Sequence, residues 1–406
     1  MQQNLGSLPV ALCEAARDLL GGRLSSLASV MEGVRQLRRS REPGLAFIFA
    51  AELFNALIEA KARDDHARRD TVLDELRALA CAYLEDAAVR EAVAKGLANT
   101  LIDAKGHDDL ARRDALLDEL RAAAHAHPES AMRSWLATGL VNTLIYAKAE
   151  DYLHHRDTVL DELRTLAHSF PNDATTREGL ARGLANTLND AKVRDDLARR
   201  DALLDELRAL TCAYPEDAAV REQLASGLYN TLNDAKAEDD LARRNALLDE
   251  LRALTRAYPE DAAVREQLAG GLFNTLIDAT AEDDLARRNA LLGELRALAR
   301  LYPEDAAVRE GLARGLYNTL NDTKAEDDLA CRNALLDELR TLTHIFPDDA
   351  TTREVLARGL ANTLNDAKVR DDLARRNAVL DELRALARAH PDDEDVREHL
   401  NLLQNC

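Results

Sequence analysis

A phrase of 44 residues is repeated end to end along this chain, and that period constrains the fold more than any other feature. The segments Tyr214 to Ala257 and Tyr258 to Leu301 are identical at 37 of 44 positions. The phrase restarts at Tyr83, His127, Phe170, Tyr214, Tyr258, Tyr302, Phe346 and His390, every 44 residues except for 43 between His127 and Phe170. A fixed period of this size predicts a solenoid, in which each unit buries its apolar face only by stacking on its neighbours. The length of 406 residues then reports repeat number, not domain number.

Each unit predicts two helices. Val220, Leu224, Leu228, Leu232 and Ala235 recur at three- and four-residue steps and give helix A one apolar stripe. Pro215 suits a helix entrance, and Asp217 can accept a backbone N–H left free at the helix start. Leu241, Leu247, Leu248, Leu251, Leu254 and Tyr258 form the stripe of helix B, with Asp239 or Asp240 as its cap and Pro259 as its stop. No segment alternates apolar and polar residues over a strand's length. The expected A helices lie near 45–61, 87–105, 130–148, 174–192, 218–236, 262–280, 306–324 and 350–368, with B helices between them and the last near 372–389.

The ends depart from the period. Residues 1–43 predict a capping pair of helices, 8–20 and 23–39, residues 44–390 the array, and residues 391–406 a closing cap with a helix over 394–404. Atypical end units are expected where a neighbour is missing. Arg35, Arg38, Arg39 and Arg41 form the densest basic cluster, either complementing a helix C-terminus or making a docking patch.

The run Pro215 to Ala219 resembles the junction between tetratricopeptide repeats. Leu224, Ala225 and Leu228 fall where that family places its helix-A packing residues, and Leu247, Leu251 and Leu254 fall on its helix-B positions. The units are about ten residues longer than the family's usual repeat. The extra residues lie between the two sets of positions, and Arg221 stands where the family carries an early tryptophan. HEAT-type repeats fit the length but not the signature. The resemblance implies an all-α, right-handed superhelical solenoid of antiparallel helix pairs. It further implies that helix A lines a concave groove for extended peptides or partner helices.

The net charge of −20 is spread evenly, nine acidic against six basic residues in Tyr214 to Ala257. An acidic surface argues against duplex nucleic acid and anionic membranes as partners and leaves protein or peptide partners. Five scattered cysteines, no long apolar run and no basic, apolar leader predict a soluble cytoplasmic protein. No phosphate loop, dinucleotide fingerprint, HExxH or GxSxG is present, so no enzyme and no cofactor are expected.

Because the units are near copies, positions that vary between them are informative. Three columns vary along one face of helix A. They run Lys95, Thr138, Arg182, Ser226, Gly270, Arg314, Arg358; then Ala98, Val141, Ala185, Tyr229, Phe273, Tyr317, Ala361; then Ile102, Ile145, Asn189, Asn233, Ile277, Asn321, Asn365. Between them an asparagine recurs in every unit, including Asn186, Asn230, Asn274, Asn318 and Asn362. An asparagine amide can hold an extended peptide backbone, or it can bond a neighbouring helix and fix the stacking. Tyr229, Phe273 and Tyr317 are candidate anchors, and Arg314 and Arg358 candidate readers of acidic groups. A glycine inside helix A, such as Gly271, costs about 1 kcal/mol against alanine and predicts close approach of helix B. Cys81, His125, His168, Cys212 and His344 share a helix-B column but sit on successive helices, not at metal-ligand spacing. The expected function is a binding scaffold. The alternatives are a passive spacer or self-assembling array, and an enzyme with a site near the N-terminal cap.

Overall fold

The computed structural model describes residues 27–40, 45–102, 110–146, 153–193, 196–235, 241–281, 284–322, 329–369 and 371–404. Among them are eighteen α-helices and no strand. The first is α1 (Leu27–Ser40). The A helices are α2 (Ala46–Ala62), α4 (Ala87–Leu101), α6 (Ser130–Tyr146), α8 (Ala174–Val193), α10 (Ala218–Ala235), α12 (Ala262–Ala281), α14 (Ala306–Asp322) and α16 (Ala350–Val369). The B helices are α3 (His66–Ala82), α5 (Leu110–Ala126), α7 (Leu153–Ser169), α9 (Leu197–Ala213), α11 (Leu241–Ala257), α13 (Leu285–Leu301), α15 (Leu329–Ile345) and α17 (Leu373–Ala389). The chain closes on α18 (Glu394–Gln404). The expected helix over 8–20 lies outside the described residues, as do Arg41, Asp239 and Asp240.

Helix starts follow the side chains that cap them. Asp86 accepts from the amides of Ala88 and Val89, and Asp261, Asp305 and Asp349 accept from the amides three residues on. Helix B is capped in the same way by Asp65, Asp196, Asp284 and Asp372, the counterparts of Asp240. Pro215 does not enter the helix. It lies in the turn before it, closed by the Asp217 amide donating to the Tyr214 carbonyl, where a fixed φ favours the second turn position.

The chain forms two compact units, residues 1–220 and 221–406. Within the first, α4 packs on α3 and α5 and on the A helices α2 and α6. Within the second, α12 packs on α11, α13 and α14. The core where α12 packs on α11 is leucine: Leu268, Leu272 and Leu276 of α12 and Leu247, Leu248 and Leu251 of α11 are all buried. Each fully buried leucine contributes about 2 kcal/mol, so the repeated stripe is the main stabilising term.

One expectation is corrected at the start of helix B. Leu241 is not part of the buried stripe but 46% exposed, as are its counterparts Leu285, Leu329 and Leu373 in large part. The inward position in that turn belongs to Arg244, which is 3% exposed and donates to Asp278 of α12 at 2.6 Å. Arg156 with Asp190 and Arg332 with Asp366 make the same pair. Among the described residues no helix is long and apolar enough to cross a membrane.

Candidate functional site

Two arginine ladders hold successive repeats together. On the B helices, Arg77 bonds Glu119, Arg121 bonds Glu162, and Arg164 bonds Glu206 in the first unit. Arg252 bonds Glu294, Arg296 bonds Glu338, and Arg340 bonds Glu382 in the second. Most of these arginines also hold an aspartate one turn back, as Arg252 holds Asp249 at 2.7 Å. At the N-terminal end the same glutamate position, Glu75, is met by Arg35 and Arg38 of α1 at 3.8 and 3.9 Å. Two members of the basic cluster thus substitute for a preceding repeat's arginine.

The second ladder runs through the junctions. Arg265 on α12 donates to Asp305 at 2.7 Å, and its guanidinium lies 4.4 Å from the Tyr302 ring centre. Arg133 with Asp173 and Phe170, Arg177 with Asp217 and Tyr214, Arg221 with Asp261 and Tyr258, and Arg309 with Asp349 and Phe346 repeat it. The arginine also donates to the carbonyl of the proline that opens its own unit, as Arg309 does to Pro303 at 2.8 Å. One guanidinium therefore joins its own turn, the next turn's ring and the next helix's cap. Burial alone would raise the Asp173 carboxyl, but hydrogen bonds from Thr175, Arg133 and Ser130 outweigh it and hold the group below its usual value. Where the interval is 43 residues the turn is a residue short, and Glu129 takes the aspartate's place, accepting from Arg90 at 2.6 Å.

The glycine column has a direct geometric cause. A Cβ on Gly271 would lie 3.3 Å from Leu251 and 3.1 Å from Leu232, and one on Gly183 would lie 2.6 Å from Leu163. Close approach of helix B is therefore present, but the helix is that of the preceding repeat, not the following one.

The first two variable columns of helix A meet at a pocket in the second unit. A pocket of about 260 Å³ is lined entirely from the three successive A helices α10, α12 and α14, among them Tyr229, Glu266, Gly270, Phe273, Asn274 and Arg314. Both aromatic rings are half-buried and Glu266 is exposed. Tyr229 lies against Gly270, where a Cβ would stand 3.0 Å from ring carbon Cε2. Arg314 is turned to Glu310 of its own helix at 2.8 Å.

The asparagine column is bound up with these rings. Asn274 donates to the Tyr229 hydroxyl at 3.0 Å and to Asn233 Oδ1 at 2.8 Å, and Asn362 donates to Tyr317 at 3.0 Å and Asn321 at 2.6 Å. Asn142 donates to the Ala98 carbonyl of the previous A helix, and Asn99 to Lys95 on its own. Asn318 follows Phe273 and Ile277, which offer no acceptor. Each tyrosine of the second column thus forms, with the third-column asparagine four residues on, a seat for the next repeat's amide. Asn186, Asn230 and Asn318 are half-buried. Arg358 stands 5.0 Å from the Tyr317 ring centre and 3.4 Å from Glu354.

Elsewhere Cys81 and Cys212 are exposed on separate B helices. Among the described residues no three His, Cys, Asp or Glu side chains are grouped to hold a metal ion. His155 packs beside Asp114 at 3.6 Å, and burial lowers its pKa below the usual histidine value. No protein-family model and no curated protein matches the chain.

Sequence reasoning did not find the two arginine ladders or Glu266. The ladders could have been read from the arginine and acid columns separated by 40 and 42 residues, just under one period.

Proposed function

We propose that the chain is a non-enzymatic, cytoplasmic scaffold that binds an extended peptide or partner helix along the face of its A helices. On this reading the solenoid is a right-handed superhelix of the tetratricopeptide kind with the A helices on its concave side. Within each unit, direct A-on-A packing supports this, whereas successive B helices are bridged by long arginine side chains reaching glutamate, aspartate or asparagine, as Arg252 reaches Glu294 and Arg287 reaches Asn245. The single observation that carries the binding role is the pocket framed by Tyr229, Phe273 and Arg314 on three successive A helices. Aromatic rings at repeat spacing offer anchor area, and half-burial leaves part of each ring to a ligand. Asn274 and Asn362 serve the groove by fixing the ring hydroxyls, and Arg314 borders it.

A random peptide library displayed on phage tests the reading. Peptides enriched on the wild-type chain should bind it and not a folded Tyr229→Ala, Phe273→Ala variant. A library that yields no enrichment, or binders indifferent to both rings, overturns the groove and leaves a structural array.

A further inference from the structure

Two places on the A-helix face are built on the same plan, and one of them lacks its cation. In the first, Asn362 donates to the Tyr317 hydroxyl and to Asn321, and Arg358 of the next A helix stands 5.0 Å from the Tyr317 ring centre and pairs with Glu354. In the second, two repeats earlier, Asn274 donates in the same way to the Tyr229 hydroxyl and to Asn233, and Glu266 occupies the position of Glu354. The position of Arg358 is here Gly270. Neither a guanidinium over the ring nor an ion pair to Glu266 is present among the described residues, and the 260 Å³ pocket opens at that point.

From this comparison within one molecule we infer that the Tyr229 pocket takes the basic side chain, arginine or lysine, of a bound peptide. The cation would lie on the Tyr229 ring, with Phe273 beside it and the Glu266 carboxylate as counter-ion, as Arg358 does at Tyr317. A ring face and a carboxylate together favour a cation over a neutral side chain of the same shape. The Arg314 charge at the mouth does not oppose this, because Glu310 neutralises it at 2.8 Å. The net −20 of the chain draws the same partner. This inference rests on the groove reading and adds the chemistry of the residue that enters it.

The test is calorimetric titration of the full chain with short acetylated, amidated alanine–serine peptides carrying one central arginine, lysine, citrulline or glutamate. Arginine and lysine peptides should bind about tenfold tighter than citrulline, which keeps the shape and loses the charge. Gly270→Arg should abolish that binding with an unchanged circular dichroism spectrum, since repeats with Arg314 and Arg358 already accommodate the residue. Arg358→Gly should add a second site. Citrulline or glutamate binding as tightly as arginine, or Gly270→Arg without effect, overturns the basic-residue inference while leaving a groove that binds peptides. If no peptide of the four binds but selected library peptides do, the inference also fails and the groove stands. If nothing binds in either experiment, both fail.

Discussion

At the scale of single residues, the junction arginine carries the contact between one repeat and the next. Arg221 lies 4.3 Å from the Tyr258 ring centre and donates to Asp261, so it joins two repeats by stacking and by charge at once. Arg265→Ala should cost about 2 kcal/mol in a urea melt, because it removes a charge-assisted bond between side chains only about a tenth exposed and leaves Asp305 without its partner. Arg265→Lys should recover little, since an ammonium cannot both stack and fork. Asp173 supplies a pH test. Its folded pKa is depressed, so its contribution is present above the unfolded carboxylate value of about 3.9 and is lost as pH falls through the folded value. Melts across pH 5 to 2 should therefore fall less steeply for Asp173→Asn than for the wild type. The caps were legible residue by residue because they act locally. The ladders were not, because a ladder joins residues about 40 apart whose proximity exists only once the helices stack.

At the scale of the helix, apolar periodicity placed every described A helix to within a few residues. Its failures have a common cause. Leu241 and Arg244 lie in the first turn of helix B, where a buried ion pair with Asp278 overrides the hydrophobic pattern. A pattern of apolar residues cannot register an inward-facing arginine. Glycines make the contrast measurable. Gly183→Ala should destabilise by about 1 kcal/mol, because the overpacking of a Cβ 2.6 Å from the buried Leu163 exceeds the gain in helix propensity. Gly293→Ala should stabilise by about 1 kcal/mol, because its Cβ would meet nothing within 4 Å. Chemical denaturation of the two variants checks both signs.

At the scale of the molecule, the ladders make the period a rule of assembly. Removing residues 258–301 sets Asp305 where Asp261 stood for Arg221 and Glu338 where Glu294 stood for Arg252. That deletion should keep a cooperative melt and the helix content per residue, whereas removing residues 258–279 should lose both, as circular dichroism would report. The repeat architecture was legible because identical units repeat the same statement many times. The pocket at Tyr229 was only half legible: the variable rings were visible, but the significance of Gly270 emerged from its alignment with Arg358 across two stacked helices. The claim on which the function turns is that a ligand lies on the A face at these rings. Its most direct test places the photo-crosslinking residue p-benzoylphenylalanine at position 273 of the groove and, separately, at the exposed position 253 on helix B. A library-selected peptide should become covalently joined at position 273 and not at 253. Crosslinking at 253 alone, or at neither position by a peptide that binds, would contradict it.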